Sequence, residues 1–188
     1  GFAPQSQPRN IGSSAVEMLL AGLCVVLVGG LAARLFRGKP SISSILGGWS
    51  AFIGCGISLV PAILAMLGYR FSDMTASWGL PGASLNIGLD PLSGLFLLSI
   101  LLLGALAAIY GISYLKHSVQ ESLIGSAWVN YNLLIISMVG VVIAKNSIIF
   151  LIAWEGMALS SFFLVTLDSQ NSNSRFAGWI YLTATHLG

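Results

Sequence analysis

Ile148-Ile149-Phe150-Leu151-Ile152-Ala153-Trp154-Glu155-Gly156-Met157-Ala158-Leu159 carries a single charge, Glu155, inside an apolar run over residues 147–167. A helix rises about 1.5 Å per residue and the hydrocarbon core of a bilayer is roughly 30 Å thick, so about 20 such residues make one span. The run therefore predicts a transmembrane helix. Glu155 stands eight residues in from Ser147, about 12 Å along the axis and near the middle of the span.

Outward from this stretch the pattern repeats. Apolar runs over 15–35, 45–67, 91–114 and 128–144 meet the same length test, and a sixth starts near Ala177 with about 12 residues left, too few to span alone. Of the 188 residues 56% are hydrophobic and 7% charged, against roughly 25% charged in soluble domains, so the bilayer is the expected solvent. A net charge of +2 gives no sign of a nucleic-acid surface. The expected fold is all-α: a polytopic transmembrane protein of five full spans and the start of a sixth.

The connections carry their own signals. Pro40 interrupts the chain after the first span, Pro61 should kink the second, and residues 68–89, with Arg70, Asp73, Trp78 and Pro81, read as an extramembrane loop. Asp90-Pro91 reads as an N-cap followed by proline at the first helical position. Lys145-Asn146 leaves so little loop that spans four and five form an antiparallel hairpin. Short loops after spans one, three and five hold Arg34, Arg37, Lys39, Lys116 and Arg175, against Arg9, Arg70 and Lys145 on the other side, which predicts an outside N-terminus. Residues 1–10 are expected to be a mobile tail without a signal-peptide pattern, and Gly1 in place of Met reads as a processed product or a fragment. No fixed-period repeat is visible.

Charge inside a span is costly and therefore informative, at about 2.5–3.5 kcal/mol on insertion scales. On a 3.6-residue period Glu155 shares its face with Ile148, Leu151, Leu159, Phe162 and Thr166, so it should turn towards protein or water. A carboxyl whose charge depends on a neighbour suits a proton relay; the alternative is a protonated glutamate that hydrogen-bonds a neighbouring helix. His186, nine residues into the sixth helix, is expected at a similar depth on an antiparallel neighbour, where it could pass protons or be satisfied by one structural partner. Lys145 lies ten residues from Glu155, too far for a direct pair, and with Thr166 is at most peripheral. Glu17 fits the start of the first helix and His117 an aqueous interface.

Cys24 and Cys55 read as packing residues. Two histidines and two cysteines at these distances do not compose a zinc, haem or iron–sulfur site, and neither a phosphate loop nor a serine nucleophile elbow occurs. No cofactor, catalytic centre or redox centre is expected in this chain.

Asp90-Pro91-Leu92-Ser93-Gly94-Leu95-Phe96, Lys145-Asn146, Trp154-Glu155-Gly156-Met157 with Ser160-Ser161, and Tyr181-Leu182-Thr183-Ala184-Thr185-His186-Leu187-Gly188 together resemble the antiporter-like proton-pumping family. That family includes the large membrane subunits of respiratory complex I, the Mrp cation/proton antiporters, and the hydrogenase-4 component B and formate hydrogenlyase subunits. The resemblance covers about residues 89–188, and its ending leans towards the hydrogenase-associated branch. It implies an inverted-repeat fold of about fourteen helices, of which this chain would hold leading helices 1–3 over 11–115 and the opening of the first repeat over 116–188. It also implies that Glu155 pairs with a lysine on a later, broken helix beyond Gly188, with His186 near that pair. The implied partners are the lipid bilayer and other membrane subunits of a complex I-like or hydrogenase complex, in the cell membrane. Two other readings stay open: a structural membrane subunit without its own ion path, and a small oligomeric carrier.

Overall fold

In a computed structural model, residues 14–36, 38–69, 71, 73–77, 84–167, 178–180 and 183–185 are described. The expected tail over 1–10 lies outside them. The order is α1 (Ser14–Leu35), α2 (Pro40–Met66), β1 (Met74–Ser77), β2 (Ser84–Ile87), α3 (Pro91–Ser118), a 3₁₀ turn (Glu121–Leu123), α4 (Ile124–Ile143) and α5 (Ser147–Val165). All five helices are long and apolar enough to cross a membrane, and the chain is a multi-pass α-helical protein of the cell membrane. Only residues 178–180 and 183–185 of the expected sixth helix are described; they are helical, and the Trp179 ring lies 6.3 Å from that of Phe162 on α5.

Three helix boundaries and one loop differ from what the sequence predicts. Pro40 does not merely stop α1; it is the first residue of α2, where its missing N–H costs nothing. The start of α2 is tied to α1 by the Ser43 hydroxyl, which donates to the Ala33 carbonyl at 2.8 Å. Helix α3 runs a turn further than expected, to Ser118, and α4 starts at Ile124 rather than near Trp128. The loop over 68–89 contains an antiparallel β-hairpin pairing Met74 with Ile87 and Ser77 with Ser84. Gly68, with φ +84°, turns the chain out of α2. The helix passes through Pro61, whose absent N–H leaves the Ile57 carbonyl without its usual partner.

Small residues set the packing. Helices α1 and α2 cross at Gly22 and Gly54, where a β-carbon on either would stand 2.6–2.7 Å from the other's carbonyl oxygen. Close backbone approach of this kind drives association where lipid removes the hydrophobic force between helices. Trp128 of α4 is fully buried, and its ring occupies the space left by Gly47 and Gly48. Cys55 is a buried packing residue as expected, but Cys24 faces outward.

The ends of the bundle differ in charge. Among the described residues, Arg34, Lys39 and Lys116 gather with Glu121 at one end, while Glu17, Asp73, Asp90 and Lys145 lie at the other. At that second end β2 joins the α4–α5 turn: the Gly88 N–H donates to the Ile143 carbonyl at 3.0 Å and the Lys145 N–H to the Asn86 carbonyl at 2.9 Å.

Candidate functional site

Helix α5 is begun by Asn146, whose side chain accepts from the Ile148 N–H at 2.8 Å, and it ends with Thr166 as its C-cap. Within its 19 residues Glu155 is eight from the first and ten from the last. Among the described residues it is the only Asp, Glu, Lys or Arg more than a turn inside a spanning helix. Glu17 lies in the first turn of α1, and Arg34 and Lys116 in the last turns of α1 and α3.

The face of α5 that packs is made of small residues. Gly156 approaches Ser137 of α4, where an added β-carbon would stand 2.7 Å from the hydroxyl, and Gly140 similarly faces Ala153. Ala158 and Ser160 are buried, the Ser160 hydroxyl donating to the Gly156 carbonyl at 2.6 Å. Glu155 is on the other side, exposed on the surface of the described chain together with Ile148, Leu151 and Leu159, while Phe162 and Thr166 are half-buried. Ile148, Leu151, Glu155 and Leu159 thus form an exposed face of α5, while Thr166 at its end lines a recess shared with α4.

Of the four candidate residues, the three that are described do not converge. Lys145, Glu155 and Thr166 are strung along one helix, with about 15 Å of axial rise between the first two and about 16 Å between the last two. Lys145 reaches the N-cap of α3, with its Nζ 3.8 Å from Asp90 Oδ2. Thr166 donates its hydroxyl to the Phe162 carbonyl at 2.8 Å. His186 lies outside the described residues.

Asp90 caps α3 by accepting from the Ser93 N–H at 2.7 Å. That bond holds its carboxyl below the usual carboxylate range, and Lys145 adds a smaller effect.

A further polar centre escaped the sequence reading. Asn132 of α4 is buried, and its amide donates to the Val26 carbonyl of α1 at 2.9 Å and to the Ser50 hydroxyl of α2 at 3.4 Å. Its signal was there to be read, an amide deep in an apolar run. An uncharged side chain simply stands out less than Glu155 does.

A bundle of five long apolar helices defines the class, a multi-pass membrane protein, and among the described residues one carboxylate, Glu155, lies more than a turn inside such a helix. No family model matches the chain. Among curated proteins it is 28% identical to hydrogenase-4 component B of Escherichia coli (strain K12) over 178 residues, 93% of this chain and 26% of that protein. It is 29% identical to formate hydrogenlyase subunit 3 of the same organism over 168 residues, 87% of this chain and 26% of the relative. With the putative antiporter subunit mnhA2 of Staphylococcus epidermidis (strain ATCC 12228 / FDA PCI 1200) it shares 35% identity over 108 residues, 56% of this chain and 13% of the relative. The chain is similar to antiporter-like membrane subunits, and the two Escherichia coli matches extend past residues 89–188 into the leading helices. It spans about a quarter of the length of those two relatives.

Proposed function

We propose that the chain is the N-terminal portion of a proton- or cation-translocating subunit of a membrane-bound oxidoreductase complex, hydrogenase-linked or complex I-like, with Glu155 as a proton-relay element. It has no catalytic or redox role of its own in this reading, and its partners are the bilayer and other membrane subunits. The carrying observation is Glu155 itself, the one charged side chain more than a turn inside any described span. A carboxylate facing hydrocarbon costs about 2.5–3.5 kcal/mol or more, so a face bearing one calls for a polar or cationic neighbour. The names of the relatives supply the context of hydrogenase and antiporter subunits.

In this reading His186 feeds protons towards Glu155, because imidazole exchanges them near neutrality through two nitrogens. The contact of Trp179 with Phe162 supports a return of the chain alongside α5. Lys145 and Thr166 mark the two ends of the helix and stay peripheral. The test is proton uptake by vesicles containing the full-length protein and its complex, with Glu155→Gln compared with wild type. Loss of uptake with intact assembly is expected, and unchanged uptake overturns the proposal.

A further inference from the structure

The ends of α1, α4 and α5 enclose a recess of about 410 Å³. Its polar part is formed by Arg34, in the last turn of α1, with Ser126 and Asn130 of α4. Arg34 Nη1 donates to Ser126 Oγ at 2.5 Å, and Asn130 Nδ2 donates to the Ser126 carbonyl at 2.9 Å, so the guanidinium is held against the wall by one of its nitrogens. Leu123, Val129 and Phe163 make the apolar part. Among the described residues no carboxylate lines the recess and none pairs with Arg34.

Depth identifies the occupant. Arg34 is the penultimate residue of its helix, and Val129 lies three residues further along α4 than Ser126, which holds the guanidinium, about 4–5 Å deeper towards the middle of the bundle. The recess therefore runs from a cation at headgroup level to apolar side chains at the level of the upper acyl chain. Arginine binds phosphate through a planar fork of donors, and Ser126 keeps a hydroxyl proton to give. A phospholipid has this order of chemistry along the bilayer normal, which a free anion or an apolar helix lacks. The surrounding end of the bundle, with Lys39 and Lys116, adds attraction for a negatively charged headgroup.

We infer that this recess binds an anionic phospholipid, its phosphate on Arg34 and Ser126 and its proximal acyl chain against Val129 and Phe163. The inference is independent of the relay role of Glu155.

Native mass spectrometry of the purified full-length protein, titrated in detergent with phosphatidylglycerol, phosphatidylcholine or inorganic phosphate, tests it. Phosphatidylglycerol should be retained best, and Arg34→Gln should weaken its retention about fivefold, the effect of one basic residue near an anionic surface. Arg34→Lys should recover part of the loss. Val129→Trp, which fills the apolar part and leaves Arg34 in place, should also release the lipid and covers the case in which Arg34→Gln does not fold. Equal retention in wild type and both Arg34→Gln and Val129→Trp overturns the inference. Displacement by inorganic phosphate at concentrations comparable to the lipid's makes this a free-anion site and overturns it too.

Discussion

Lys145 Nζ stands 3.8 Å from Asp90 Oδ2, so the turn between α4 and α5 is linked to the N-cap of α3 across the end of the bundle. The pair is partly exposed, and such pairs contribute between nothing and about 1 kcal/mol. The capping bond from the Ser93 N–H is the stronger element, worth about 1 kcal/mol. Asp90→Ala should therefore destabilise the protein more than Lys145→Ala does, as read by thermal unfolding in detergent. Equal losses would mean that the ion pair dominates.

The same carboxyl predicts a pH dependence. Its folded-state pKa lies below the ordinary value, chiefly because the Ser93 N–H donates to it. A depressed pKa gives stability that is complete above the unfolded value, about 3.9, and is lost as pH falls through the folded one. Between pH 5 and pH 3 the melting temperature of wild type should fall more steeply than that of Asp90→Asn, which keeps a capping oxygen but cannot titrate. Parallel curves would remove Asp90 from the acid response.

Gly54 and Gly56 are two residues apart and should respond in opposite ways. A methyl group on Gly54 meets the Gly22 carbonyl at 2.6 Å, whereas nothing lies within 4 Å of the corresponding position on Gly56. Gly54→Ala should cost about 1–3 kcal/mol by overpacking the α1–α2 crossing. Gly56→Ala should be neutral or stabilise by up to about 1 kcal/mol through helix propensity. Comparable melting shifts for the two would contradict the crossing.

Orientation is accessible through Ser41, an exposed residue in the first turn of α2 near Arg34 and Lys39. Positive residues in short loops favour the cytoplasm. In a Cys24→Ser background, Ser41→Cys should resist a membrane-impermeant thiol reagent in intact cells and react after permeabilisation. Labelling of intact cells would invert the topology.

The sequence made the spans legible because each must be apolar over about 20 residues, and Asp90-Pro91 stated its own cap. The hairpin was hidden. Its strands are four residues each, and they are anchored by non-local bonds from Gly88 to Ile143 and from Lys145 to Asn86, which no local pattern encodes. The early starts of α2 and α4 have a similar origin, since Ser43 bonds to Ala33 and Gly125 packs on the Ala33 carbonyl. Direction was the hardest feature to read. A helix that is apolar all round gives little indication of which face packs, so the outward Cys24 needed the structure. For Glu155 periodicity gave the stripe, and only the packing of Gly156 on Ser137 gave its direction.

That direction makes Glu155 open to decisive substitution. Its side chain is exposed, about 100° around the helix from the Gly156 that meets Ser137, so an isosteric change at 155 tests ionisation while keeping the side chain's shape. Glu155→Gln preserves shape and most hydrogen-bonding capacity but cannot ionise, and in the full-length protein it should allow assembly while abolishing proton uptake. Glu155→Asp keeps the acid about one methylene short of its partner and should retain part of the activity, since misplacement of about 1 Å can cost up to a hundredfold. His186→Ala should be milder if a water molecule can replace the imidazole. The measurement is proton uptake by reconstituted vesicles, recorded alongside the electron-transfer rate. A Glu155→Gln protein that assembles and pumps at the native ratio would make Glu155 a structural hydrogen-bond partner. Graded loss, from Asp through Gln, is the outcome that a titrating relay requires.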